Sequence, residues 1–106
     1  MKRYAAHCLY LSPEKIYHLH VIELNDEGEI RKIFPLTHEI ESTAFYNGMI
    51  VPVKKGTNPA QLKEIRTKDD LAAVAVSTPG VAVDLYRFED GCMDNLTQPT
   101  QIDHDC

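Results

Sequence analysis

What the chain lacks narrows it first. It has no stretch approaching the ~20 apolar residues that cross a bilayer, and even the run from Leu71 to Val76 is short. No membrane span and no membrane partner are expected. It has no surplus of basic charge: 11 Lys and Arg against 16 Asp and Glu leave a net charge of −5. Residues 1 to 83 hold ten of each sign, so the imbalance comes from residues 84 to 106, where Asp84, Glu89, Asp90, Asp94, Asp103 and Asp105 face only Arg87. A groove for phosphate backbones needs the opposite sign, and nucleic acid is not an expected partner. Its three cysteines, Cys8, Cys92 and Cys106, cannot all pair within one molecule, and no charged, apolar, small-residue leader precedes them. A reducing, cytoplasmic setting is the expectation. There is no internal repeat and no low-complexity segment. Finally, 106 residues give room for one core, and fall well short of the roughly 200 or more that a complete eight-stranded β/α barrel needs.

What is present reads as strands. The composition, 43% hydrophobic and 25% charged, is ordinary for a globular domain. Residues 3 to 11 alternate as a strand, with Tyr4, Ala6, Cys8 and Tyr10 on one face and Ala5, His7, Leu9 and Leu11 on the other, before Ser12-Pro13 breaks the run. Ile16 to Leu24 is rich in Ile, Tyr, Val and Leu, and ends at the turn cluster Asn25-Asp26-Glu27-Gly28, where Gly supplies positive φ. Glu29 to Phe34 follows at once, so the pair reads as an antiparallel hairpin that Pro35 closes. Residues 43 to 53 carry two short apolar runs around Asn47-Gly48, a tight-turn signal.

The composition then shifts to polar Lys54 to Asn58. Asn58 as cap and Pro59 at the first position predict a short helix to Ile65. Thr67 with Asp70 resembles a capping box and starts a second short helix at Lys68, although the valines make Ala73 to Val76 equally readable as strand. Val81 to Phe88 is the last strand, setting Val81, Val83, Leu85 and Arg87 against Ala82, Asp84, Tyr86 and Phe88. The fold class expected is therefore mainly β: a small β-sandwich or rolled antiparallel sheet with one or two short helices. Residues 1–90 form a single β-rich domain, and 91–106 an acidic, loosely ordered tail.

Candidate chemistry is sparse. His18-Leu19-His20 places two imidazoles two apart, which on a regular strand share a face and could ligate one metal ion. Two ligands are too few for a zinc or iron centre, no third is spaced to join them, and their flanking residues Ile16 and Ile22 point to half-buried or surface histidines instead. His18 and His20 are thus the only metal candidates, and incomplete ones. His7 and Cys8 are strand neighbours on opposite faces and make no nucleophile–base pair with each other. Asp103-His104-Asp105-Cys106 offers ligand types on a flexible end, which must lose entropy to close on a metal. Lys54-Lys55-Gly56-Thr57 lacks the leading glycine and the Gly-Lys-Ser/Thr order of a phosphate loop. Glu39 and Glu41, after His38, read as solvated loop. Tyr4, Tyr10, Tyr17 and Tyr46 are either strand-face packing or the lining of a small-ligand cleft. No catalytic or cofactor-binding residue is assigned and no cofactor is expected.

The order of three pieces resembles the N-terminal flanking segment of the amidohydrolase superfamily of metal-dependent hydrolases: Arg3-Tyr4-Ala5-Ala6-His7 opening a first strand, the hairpin from Val21 to Ile33 around Asn25-Asp26-Glu27-Gly28, and Tyr46-Asn47-Gly48-Met49-Ile50-Val51-Pro52 as the entry stretch. The resemblance covers residues 1–53. It implies a small composite β-sandwich without its catalytic barrel, because the chain continues Val53-Lys54-Lys55-Gly56-Thr57 where family members lead into a His-x-His metal pair. His18 and His20 lie upstream of the entry stretch and cannot stand in for that pair, so no family ligand carries over.

The expectation is a stand-alone, non-catalytic module for protein interaction or self-association, with a homodimer formed by edge or face packing because exposed edge strands remain. The alternatives are an accessory subunit or remnant of an amidohydrolase acting on non-peptide carbon–nitrogen bonds, with a barrel-bearing hydrolase as partner, and a small-ligand-binding domain.

Overall fold

The computed structural model describes residues 2–38 and 43–97. Its strands are β1 (Lys2–Ser12), β2 (Lys15–Leu24), β3 (Ile30–Pro35), β4 (Thr43–Lys54), β5 (Val83–Glu89) and β6 (Cys92–Asn95). A four-residue helix α1 (Pro59–Leu62) and a 3-10 helix (Lys68–Ala73) lie between β4 and β5. The mainly β class with two short helices holds. All six strands join one open sheet in the order β3-β2-β1-β4-β5-β6. The sheet is mixed, because β4 runs parallel to β1 while every other pairing is antiparallel. Joining parallel neighbours requires a crossover, and the connection from β1 to β4 runs through β2 and β3.

The sheet is rolled. Glu29, at the foot of β3, bridges Ala82 just before β5, and the Val83 N–H donates to the Gly28 carbonyl at 2.8 Å. Inside the roll, Tyr4, Ala6, Leu9, Leu11, Ile22, Leu24, Ile50, Val83 and Leu85 meet one another with no helix among them. A second core lies on the outer face, where Leu62, Ile65, Leu71 and Val74 from the helical segment cover Tyr10, Val51 and Val53. Both faces of the central strands are therefore buried, which explains the unbroken apolar run Ile50-Val51-Pro52-Val53 in β4.

The helical caps follow the sequence. The Asn58 Oδ1 accepts from the Ala60 N–H at 3.0 Å. Asp70 Oδ2 accepts from the backbone N–H groups of Arg66 and Thr67, each at 3.0 Å, and those bonds hold its carboxyl below the usual range. Residues 75 and 76 then return to the sheet as an isolated bridge, Val53 with Ala75.

Three local expectations are corrected. Asn47-Gly48 is no turn between two strands, because β4 is continuous over 12 residues. Gly48, at φ 98°, instead sits where the β1–β4 register slips, Ala6 pairing Tyr46 but Cys8 pairing Met49. The flexibility that suits glycine to tight turns here suits it to a bulge. The alternation in β1 also fails half-way: Tyr4 and Ala6 share the inner core with Leu9 and Leu11, whereas Tyr10 faces the helices. The strand changes phase between Ala6 and Leu9. The segment expected as a tail contributes β6, which pairs with β5 from Glu89–Cys92 to Tyr86–Asn95. Residues 98–106 of that segment lie outside the described residues, as do Glu39 and Glu41. No described helix is long and apolar enough to cross a membrane.

Two backbone substitutions test the bulge and the phase break. Gly48→Ala forces a side chain into positive φ and should cost about 1 kcal/mol or more. Leu19→Gly, at a leucine held at φ 52°, should be neutral or stabilising by up to about 1 kcal/mol. Urea unfolding midpoints measure both, and equal losses at the two positions would contradict the account.

Candidate functional site

The His18–His20 pair is where the sequence first points, and the structure takes it apart. Tyr17 packs against the inner core, and His20 stacks on Tyr17 with ring centroids 4.8 Å apart. Residues three apart on a regular strand oppose each other, so this stack requires the positive φ of Leu19. His18, next to Tyr17, points to the opposite face, across from Cys8. The two imidazoles thus lie on different sides of the sheet and cannot close on one ion. Among the described residues, no group of three or more His, Cys, Asp or Glu gathers to hold a metal.

The phase break leaves backbone carbonyls that need partners, and it finds them. Leu19 O accepts from the Leu36 N–H at 2.8 Å. His18 O lies 2.9 Å from Nδ1 of His20. A carbonyl only accepts, so His20 carries its proton on Nδ1, and in the neutral ring Nε2 is left as an acceptor.

His20 borders a cavity of about 390 Å³ together with Leu11, Lys15, Tyr17, Ile33 and Ser77. Its floor is the apolar end of the roll. Lys15 contributes the charge, while Tyr17, His20 and Ser77 supply polar tips around it. Such a site suits a small ligand with an anionic group and a flat apolar part. The other tyrosines proposed as lining do not converge there. Tyr4 stacks on Tyr46 at 6.3 Å, and Tyr10 belongs to the core under the helices.

On the outer face, Cys8 Sγ lies 3.5 Å from His18 Nδ1. Sequence reasoning missed this contact because it paired Cys8 with its chain neighbour His7, and the hairpin register is what brings position 8 opposite position 18. His7 turns instead to β4, edge-on to the Phe45 ring at 5.2 Å and 3.2 Å from Asn47 Oδ1. Cys8 is a free thiol.

Two buried carboxylates are already occupied. Glu23 accepts from Arg3 Nε at 2.8 Å and lies 3.9 Å from Arg31 Nε. Asp84 accepts from the Thr97 hydroxyl at 3.0 Å. Both are buried and hydrogen-bonded to residues within the sheet and its return segment, as structural polar groups are.

Comparison of the chain with protein-family models, curated proteins and solved structures finds no match. The functional reading therefore rests on the residues themselves.

Burial raises the hydroxyl pKa of Tyr4, with neighbouring Tyr46 adding to it, and burial raises that of Tyr10, with Asp69 adding to it. A pKa raised in the folded state gives stability that is complete below the unfolded value of about 10 and is lost as pH climbs through the folded value. The urea midpoint should hold up to about pH 10 and then fall. Tyr10→Phe should make that fall shallower, and an unchanged slope would remove Tyr10 from the account.

Proposed function

We propose that the chain is a non-catalytic interaction module whose first partner is a second copy of itself. The observation that carries this reading is the first half of β4. Thr43 to Tyr46 pair with β1 on one side, while β5 joins β4 only from Met49 onward. Among the described residues no strand pairs with the other side of Ala44–Asn47. This open edge carries Phe45, 47% exposed. An unpaired edge with an exposed aromatic ring is a template for strand addition. The other edges are blunted: β3 carries Lys32 and ends at Pro35, and β6 has four residues.

The resemblance of residues 1–53 to the amidohydrolase composite segment stays within this proposal. It rests on the order of sequence pieces, and the accessory-subunit alternative, with a barrel-bearing hydrolase as partner, rests on the same order. The cytoplasmic placement stays within this proposal and draws on the odd cysteine count and the free Cys8 thiol. A second reading, small-ligand binding, is favoured by the cavity between Lys15, Tyr17 and His20.

Light scattering over a concentration series tests the first reading. The parent chain should approach the dimer mass and Phe45→Glu should remain monomeric. A parent that stays monomeric at the highest concentration, or a Phe45→Glu variant that dimerises as well as the parent, sinks the proposal.

A further inference from the structure

The register across the middle of the sheet sets His18, Cys8 and Met49 side by side on β2, β1 and β4. Direct cross-strand partners project to the same face. That face is the outer one: Met49 packs with the core under the helices, and Cys8 sits two residues before Tyr10, a member of that core, along a stretch with regular pairing. The row thus presents an imidazole, a thiol and a thioether in sequence across adjacent strands.

We propose that Cys8, His18 and Met49 form a binding site for a single soft monovalent cation, with copper(I) as the ion of choice. The central distance fits. Two donors on one metal, at bond lengths of about 2.3 Å to sulfur and about 2.0 to 2.1 Å to nitrogen, stand roughly 3.6 Å apart at a tetrahedral angle, and Sγ of Cys8 is 3.5 Å from Nδ1 of His18. The pair is thus already spaced as ligands of one ion. The donor set also chooses the ion. Thiolate and thioether ligands select copper(I), whereas a structural zinc site wants four ligands and no carboxylate or second thiolate joins this row.

Access and chemistry agree with this assignment. His18 is exposed and Cys8 half-buried, so the ion can reach the donors without opening the core. Binding replaces the thiol proton by a sulfur–copper bond and releases that proton to solvent, with no change of oxidation state. Met49 stands directly across from Cys8, and its unbranched thioether chain can adapt to a neighbouring ligand. The site is independent of the dimer edge, since neither Thr43 nor Phe45 belongs to it.

The test uses the full chain without a histidine tag, under anaerobic conditions, with copper(I) supplied from a coloured chelator that reports its loss. In a background where Cys92 and Cys106 are both serine, one equivalent should bind, and Cys8→Ser should abolish it. His18→Ala and Met49→Leu should each weaken binding by about tenfold or more. The ring protons of His18 should shift on adding silver(I), a redox-inert stand-in, while those of His20 stay in place. Retention of the equivalent in Cys8→Ser overturns the site. Unchanged affinity in both His18→Ala and Met49→Leu reduces it to adventitious thiol capture and also overturns it.

Discussion

The structure hinges on a break in alternation shared by the first two strands. Leucine at φ 52° in β2 turns the strand over by one residue, and β1 turns with it, so the pairing of the hairpin stays in step from Lys2–Leu24 to Tyr10–Ile16. An unbroken alternation would send either Tyr4 and Ala6 or Leu9 and Leu11 away from the interior. The break lets both ends of a long hairpin contribute to one core. It costs about 1–2 kcal/mol in backbone strain, which the bonds at His18 O and Leu19 O help to offset. Everything chemical nearby follows from it: His20 against Tyr17 on one side, His18 against Cys8 on the other.

Rolling the sheet creates the need for two separate cores. The inner one is closed by the strands themselves, and the outer one requires the segment between β4 and β5 as a lid. That segment has too few residues in either helix to be stable alone. Its order derives from caps at Asn58 and Asp70 and from burying Leu62, Ile65, Leu71 and Val74. The two most buried carboxylates have partners: Glu23, 5% exposed, lies between two arginines, and Asp84, 7% exposed, accepts from the Thr97 hydroxyl. Removing a partner from such a group leaves a buried polar group unsatisfied, so Glu23 ties β2 to β1 through Arg3 and Asp84 ties β5 to the Thr97 hydroxyl.

Much of the framework was legible in the chain. The β2–β3 hairpin, its Asn25–Gly28 turn, the Asn58 cap, the Thr67–Asp70 signal and the last strand all rest on local chemistry, and local chemistry reads directly. What was not legible depends on partners far along the sequence. A bulge at Gly48 and a turn at Asn47-Gly48 draw on the same backbone freedom, and only the presence of β1 alongside decides between them. The phase break has a plain leucine at its centre, a residue that carries no positive-φ signal. Hence two histidines two apart looked like a shared face, while the Cys8–His18 contact, ten residues apart, was hidden in a register. The short β6 lacks alternation because its role is edge pairing with β5, and an acidic composition concealed it.

The roll is shut along a seam narrower than any of its other strand junctions. Where β1 and β2 hold each other over nearly their whole length, the seam between the foot of β3 and the start of β5 consists of the Glu29–Ala82 bridge and the Gly28–Val83 hydrogen bond. Local opening takes the path with the fewest bonds to break, so thermal motion will part this seam before it unzips the hairpin. Such breathing admits water to Val83 and Leu24 first, and makes the contact between Gly28–Glu29 and Ala82–Val83 the natural fault line of the described residues.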